Sequence, residues 1–176
     1  IDEGGVYSVE PDIVDILTFQ FLYGDKKGCL DNLNDIVIND LIAKKYFNTD
    51  NAVGKDLTAE VYGEKVIFKV KAVFKSYARL STIKPQFLIH SQYALKALQK
   101  TFTDVDISKS FSYDFHTTYI LLGNAGSKKI VEDKMISISE KNHSKDDSIT
   151  YSLQPIKDIY FHSESLVNNH LPQGSM

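Results

Sequence analysis

The chain has 176 residues, of which 43% are hydrophobic and 24% charged, with ten Tyr, ten Phe and no Trp; that is globular composition with enough mass for a real core, and it argues against disorder. A formal net charge of -3 gives no general attraction for nucleic acid. Cys29 is the single cysteine, which excludes an internal disulfide and a cysteine-based metal cage.

The chain opens Ile1-Asp2-Glu3-Gly4-Gly5 with neither an initiator Met nor a charged-then-apolar leader, and reads as a fragment. Pro11 to Leu17 predicts a short helix. Ile36, Val37 and Ile38 form a β-branched run that hands over directly to a helix, with Asn39 or Asp40 as its N-cap. Ile42 with Tyr46, and Ala43 with Phe47, fall four apart on one side of that helix, while Asp40, Lys44 and Lys45 take the other.

After the polar break at Asn48 to Asn51, Gly54 supplies a residue suited to positive φ. Leu57, Ala59 and Val61 then alternate with Thr58, Glu60 and Tyr62, which predicts a half-buried strand. A turn at Gly63-Glu64 leads into its partner, with Val66, Phe68, Val70, Ala72 and Phe74 on one face and Ile67, Lys69, Lys71, Val73 and Lys75 on the other. Lys69, Lys71 and Lys75 form a basic stripe, read as a solvated strand face.

Beyond Ser76 the elements lengthen. Phe87-Leu88-Ile89-His90 reads as a strand, followed by a helix capped by Ser91 with Ala94, Leu95, Leu98 and Phe102 on one face. Thr117 to Leu122 is a β-rich run, and a helix from Ser127 to Lys141 places Ile130, Val131, Met135 and Ile138 together. Ile149 to Leu153 and Ile159 to Phe161 supply further strand. Strand, helix and strand from Thr117 to Leu153 would form a right-handed βαβ unit. The expectation is an α/β (α+β) fold of two subdomains: a strand-rich one over 1–76 with the hairpin, and one over 77–176 with a split βαβ unit.

Chemistry-bearing patterns are sparse. His90, His116, His143, His162 and His170 have no metal-ligand spacing. Asp158, His162 and Ser163 lie near one another, but alternation puts His162 beside Tyr160 on an exposed face. Gly123-Asn124-Ala125-Gly126 lies between strand and helix without the pattern of a phosphate loop, and its Gly126-Ser127 part turns the chain and caps the helix. Asp104/Asp106 and Asp146/Asp147 lack calcium-loop spacing and read as solvated loops. Asn142-His143-Ser144 matches a glycosylation acceptor, which a bacterial origin would make irrelevant. No nucleophile elbow is present. We therefore expect no catalytic residue, no metal ligand and no cofactor.

Four stretches in order resemble the extracytoplasmic core domain of ABC transporter permeases of the MacB/FtsX-like type. These are Val9-Glu10-Pro11-Asp12-Ile13-Val14-Asp15-Ile16-Leu17-Thr18-Phe19; Phe21-Leu22-Tyr23-Gly24-Asp25; the strand, helix and hairpin of residues 34–75; and Leu153-Gln154-Pro155-Ile156-Lys157-Asp158-Ile159-Tyr160-Phe161-His162-Ser163. The first departs from the family pattern at Val14 and Leu17, where aromatic residues are usual.

The resemblance implies a non-catalytic domain on the periplasmic side of the bacterial inner membrane, held between two membrane helices outside this chain. Its N-terminal strand-helix-strand unit would be missing here. The permease would work as a homodimer or heterodimer with a cytoplasmic ATP-binding subunit, and with a periplasmic adaptor or substrate. Leu153 to Ser163 would then carry motion toward the second membrane helix, with Ile156, Ile159 and Phe161 packed on the core. The alternatives are a soluble periplasmic or surface module binding a ligand or peptide, and an enzyme with an unrecognised site.

Overall fold

The computed structural model describes residues 4–77, 83–109, 116–124, 126–142 and 151–159. Two compact units divide at Ser110/Phe111. The division lies later than the one expected after Ser76, because Phe87–His90 is hydrogen-bonded into the same sheet as the hairpin.

The first unit is built on a mixed sheet of β1 (Val6–Val9), β2 (Phe21–Tyr23), β3 (Asp35–Asn39), β4 (Asp56–Val61), β5 (Glu64–Phe74) and β6 (Phe87–His90). Its order is β1-β6-β3-β5-β2, with β4 also on β5. β1 runs parallel to β6 and β3 parallel to β5, while β6–β3, β5–β2 and β5–β4 are antiparallel. Three short helices join them: α1 (Ile13–Ile16), α2 (Asp40–Phe47) and α3 (Gln92–Thr101).

A central strand must be apolar on both faces, and β3 is buried at every position. Its one carboxylate, Asp35, accepts from the Asn32 N–H and Nδ2, both at 2.9 Å. Those bonds offset the cost of burying a charge. On one face Ile36, Ile38, Phe68, Val70, Val73, Phe87 and Ile89 pack with Ile42 and Ala43 of α2 and Tyr93 of α3. Val37, Ala72, Phe74 and Leu88 pack on the other with Val14, Phe19, Cys29 and Leu30.

The handover from β3 to α2 follows the sequence. Asn39 Oδ1 accepts from Ile42 N–H at 2.9 Å, so Asn39 is the N-cap, and Asn48 closes the helix in the left-handed region at φ 50°. Asp40 is the first helical residue, and its carboxylate accepts from Ser76 N–H at 2.9 Å, fastening the chain just after β5. α3 differs from expectation at its start. Ser91 makes no cap bond and donates instead to Glu10 at 2.6 Å, while His90 Nδ1 accepts from Gln92 N–H at 3.2 Å.

The hairpin turn is Tyr62-Gly63, one residue earlier than expected, with φ of 50° and 80° between the paired Val61 and Glu64. Two consecutive positive φ values give the right-handed twist that a two-residue hairpin needs. The expected alternation of β5 holds only through Val70. Ile36 pairs with Val70 but Val37 with Ala72, so Lys71 is an extra residue, a β-bulge. Beyond it the faces exchange: Val73 joins Phe68 and Val70 in one core, and Ala72 with Phe74 joins the other. Gly24, at φ +78°, fits against this bulge, where an added Cβ would overlap the Lys71 carbonyl oxygen and lie 2.9 Å from Ala72 Cα.

In the second unit α4 spans Ser127–Asn142, as expected to within a residue. The expected strand at Thr117 to Leu122 forms no ladder among the described residues, and Leu121 is 68% exposed. Tyr151 to Leu153, the described part of the next expected strand, forms none either. The βαβ reading therefore fails at its first strand among the described residues: β-branched composition alone does not make a strand without a paired neighbour. The sheltered side of α4 is Val131, Met135, Ile136 and Ser139, whereas Ile130 and Ile138 are 58% and 50% exposed.

Candidate functional site

Two of the depressions on the first unit are lined entirely by described residues. One, of about 470 Å³, is lined by Val6, Ile36, Leu57, Phe68, Phe87 and Ile89 with Tyr46, Thr58 and Glu60 at its borders. It forms because β4 extends past the level of β3, leaving apolar sheet between the hairpin and β1. Its volume falls in the range of small-molecule sites, but Glu60 is its one ionisable carboxylate, and alternation turns Glu60 and Thr58 away from Leu57, Ala59 and Val61. No acid–base pair converges on it.

The other, of about 440 Å³, lies between α1 and the loop carrying Lys26 to Asp31. There Lys26 Nζ and Asp15 Oδ1 meet at 2.7 Å, both largely exposed, so this pair contributes little. Cys29 forms the floor, 2% exposed, and burial pushes its thiol up to about 11. Such a thiol is a poor nucleophile.

Other perturbed groups are scattered. Burial raises Tyr93, whose hydroxyl donates to Asn34 Oδ1 at 2.8 Å, and also Tyr77, whose hydroxyl donates to the Thr18 carbonyl at 3.0 Å. Hydrogen bonds from Lys100 hold exposed Glu64 below the usual carboxylate range. Ser108, and then Lys109, do the same for Asp106. The bonds at Asp106 close its own loop, with Ser108 Oγ at 2.6 Å, and Asp104 adds no oxygen to it. Among the described residues no group of three His, Cys, Asp or Glu side chains could hold a metal.

The lysine stripe is broken up. Lys69 is ion-paired with Asp56 across the hairpin, and Lys71 is taken out of alternation by the bulge. Asn124 caps α4 through Oδ1, which accepts from Ser127 N–H at 3.1 Å, so the cap is Asn124 and not the expected Gly126-Ser127, Ser127 being the first helical residue. His90 sits at the end of β6 and His116 is exposed. His143, His162, His170, Ser163 and Asp146/Asp147 lie outside the described residues.

The expected transmission segment is described only to Ile159. Leu153 N–H donates to Glu132 Oε1 of α4 at 2.8 Å, which ties the segment to the helix. Pro155 then opens a 3-10 turn over Ile156–Asp158. Ile156 is 52% exposed rather than packed on a core, and Ile159 follows the turn without entering a strand. The Glu132 contact has no sequence signal, since the two residues belong to separate elements.

No family model matches the chain, and no curated protein matches it. Among solved structures it is similar to a domain of a protein assigned as a permease from Porphyromonas gingivalis, with a TM-score of 0.59 and 14% identity over 85% of this chain. The chain spans 64% of that domain's length. At this identity the likeness establishes a shared fold. No helix among the described residues is long and apolar enough to cross a membrane.

Proposed function

We propose that this chain is a non-catalytic extracytoplasmic domain of an ABC transporter permease of the MacB/FtsX-like type. It would pass motion driven by a cytoplasmic ATPase to the export, release or regulation of an extracytoplasmic substrate. The observation that carries this reading is the fold shared with a domain of a protein assigned as a permease; the finer MacB/FtsX-like assignment rests on the four ordered sequence elements. The scattered titratable groups fit a role in which the chemistry is done elsewhere.

In that role Leu153 to Ser163 is the coupling segment, and its hold on α4 through Glu132 gives a displacement something to act on. The test is made in the full-length protein with its ATPase partner. Two or three Gly residues inserted after Ser163 should leave basal ATP hydrolysis intact while lowering transport or release. Unchanged transport would refute rigid coupling through this segment. Absence of any co-purifying ATPase would refute the transporter reading itself.

The apolar depression of about 470 Å³ favours a second reading, a periplasmic or surface module that binds an apolar ligand or peptide. The two separate on flanking sequence: membrane helices on either side of the domain support the first, and their absence supports the second.

A further inference from the structure

α3 meets the hairpin at two points along its length. β3 pairs with β5 only from Lys69 onward, so residues 64–68 have β4 as their sole strand partner among the described residues. At the inner end of this overhang the rings of Phe68 and Tyr93 meet edge to face, 5.5 Å between centroids, and Tyr93 is itself fixed by its bond to Asn34. At the outer end Lys100 Nζ meets Glu64 Oε1 at 2.5 Å. Tyr93 and Lys100 are separated by about 10 Å of helix, so α3 runs beside the overhang as a strut.

The same turn of α3 holds the chain that leaves it. The helix ends without a glycine, and its C-cap Phe102 has a φ of -112°, outside the left-handed region that commonly closes helices. Gln99 closes the end instead. Its Nε2 donates to the Phe102 carbonyl at 3.0 Å and to the Val105 carbonyl at 2.8 Å, while its Oε1 accepts from Ile107 N–H at 3.0 Å. Residues 103–106 are exposed and Ile107 is buried. Exposed polar stretches of this kind are ordinarily the mobile parts of a fold, yet this one is fastened at both ends to a single carboxamide. Asp106 then closes the 3-10 turn of Ile107–Lys109 by accepting from Ser108 N–H at 3.1 Å. The boundary of the first unit follows at Ser110.

We propose that the last turn of α3 is a mechanical junction, in which Gln99 clasps the exit segment 102–109 and Lys100 holds the hairpin tip. A displacement of the hairpin is then passed to the chain leaving the first unit instead of being absorbed in a loop. Gln99 is a positioning residue, and its amide is what the geometry requires. A carboxylate there would still accept from Ile107 but would set its charge against two carbonyl oxygens. The inference does not rest on the transporter reading.

The test is amide hydrogen exchange in this chain, read residue by residue by NMR as protection factors. Ile107 N–H should be protected in the parent. Gln99→Met keeps the length of the side chain and removes all three bonds, and should lower protection at Ile107 about tenfold or more while leaving the amides of β3 unchanged. Gln99→Glu should do the same at pH 7 and recover protection near pH 4, where a protonated carboxyl can donate as well as accept. A side chain that only fills space would show no such recovery. Glu64→Gln and Lys100→Met should each lower protection at Ile107 about two- to fivefold, and the exchange of charges in Glu64→Lys with Lys100→Glu should restore it. Protection at Ile107 that is unchanged in Gln99→Met, or lost there in step with that of β3, overturns the clasp. Ile107 unmoved by both Glu64→Gln and Lys100→Met overturns the junction.

Discussion

Replacing Gly24 by Ala should destabilise the first unit more than any other single methyl addition at its turn glycines. Gly24 sits at φ +78°, a conformation that costs an L-residue about 1–2 kcal/mol. Its added Cβ meets the Lys71 carbonyl oxygen and the Ala72 backbone, with Ala72 Cα at 2.9 Å. Both are main chain at the β5 bulge, held between β2 and β3, so neither can move away alone. Overpacking of that kind costs about 1–3 kcal/mol, and the smaller entropy of the unfolded Ala chain offsets roughly 0.4–1 kcal/mol of the total. The net is about 1–4.5 kcal/mol, or roughly 2–18 °C in Tm for a chain of this size. Gly63→Ala is the control: its φ is +80°, but nothing lies within 4 Å of an added Cβ. Only the dihedral cost remains there, about 1 kcal/mol. The chain has no Trp, so urea unfolding followed by far-UV circular dichroism is the assay. Equal losses in the two variants would show that β2 does not press on the bulge.

Asn39→Ala removes the α2 cap and leaves the Ile42 N–H without its buried acceptor, and should cost about 1–2 kcal/mol in the same urea assay. Cys29 should resist a thiol reagent at pH 8 in the folded chain and react at once in urea, because its thiol is buried and protonated. Its folded value of about 11 lies above the ordinary thiol value of 9.0. The stabilisation this represents is complete below pH 9 and is lost as pH rises toward 11, by up to about 1.4 kcal/mol per pH unit. Cys29→Ala should flatten that part of the pH–stability curve relative to the parent; an unchanged slope would refute the assignment. The purified chain should hold no stoichiometric zinc or calcium and hydrolyse no ATP, checked by elemental analysis and phosphate release.

What could be read from sequence was what is decided within a few residues. The β3-to-α2 handover, with Asn39 as cap, depends on a side chain reaching three residues along its own chain. The β4–β5 hairpin is equally local, and its alternation was legible through Val70, although its turn lies a residue earlier than the sequence suggested. Lys71 was not, because the bulge answers to β3, which runs beside β5 in parallel, and to Gly24 just after β2. Phe87–His90 was recognisable as a strand, yet its place between β1 and β3 has no local signature. Thr117 to Leu122 shows the opposite failure, β-rich composition that joins no ladder among the described residues. The clefts were illegible for the same reason: Val6, Leu57 and Phe87 share a border only through the sheet. The absence of ligand spacing among the histidines was plain from the chain alone.

The order of the strands also dictates an order of assembly. β4 and β5 are joined by a two-residue turn, so their pairing is a microsecond event. β1 must find β6, pairing residue 6 with residue 87, and so long a closure is entropically expensive until the strands between are in place. The nascent sheet therefore grows from the hairpin through β3 and β6, and β1, made before the other five strands described, is the last of them to dock. Until it does, the edge of β6 lies open with Phe87 and Ile89 behind it, a species prone to capture by any neighbouring strand. Refolding yield should consequently fall with protein concentration more steeply than the stability of the finished fold would suggest.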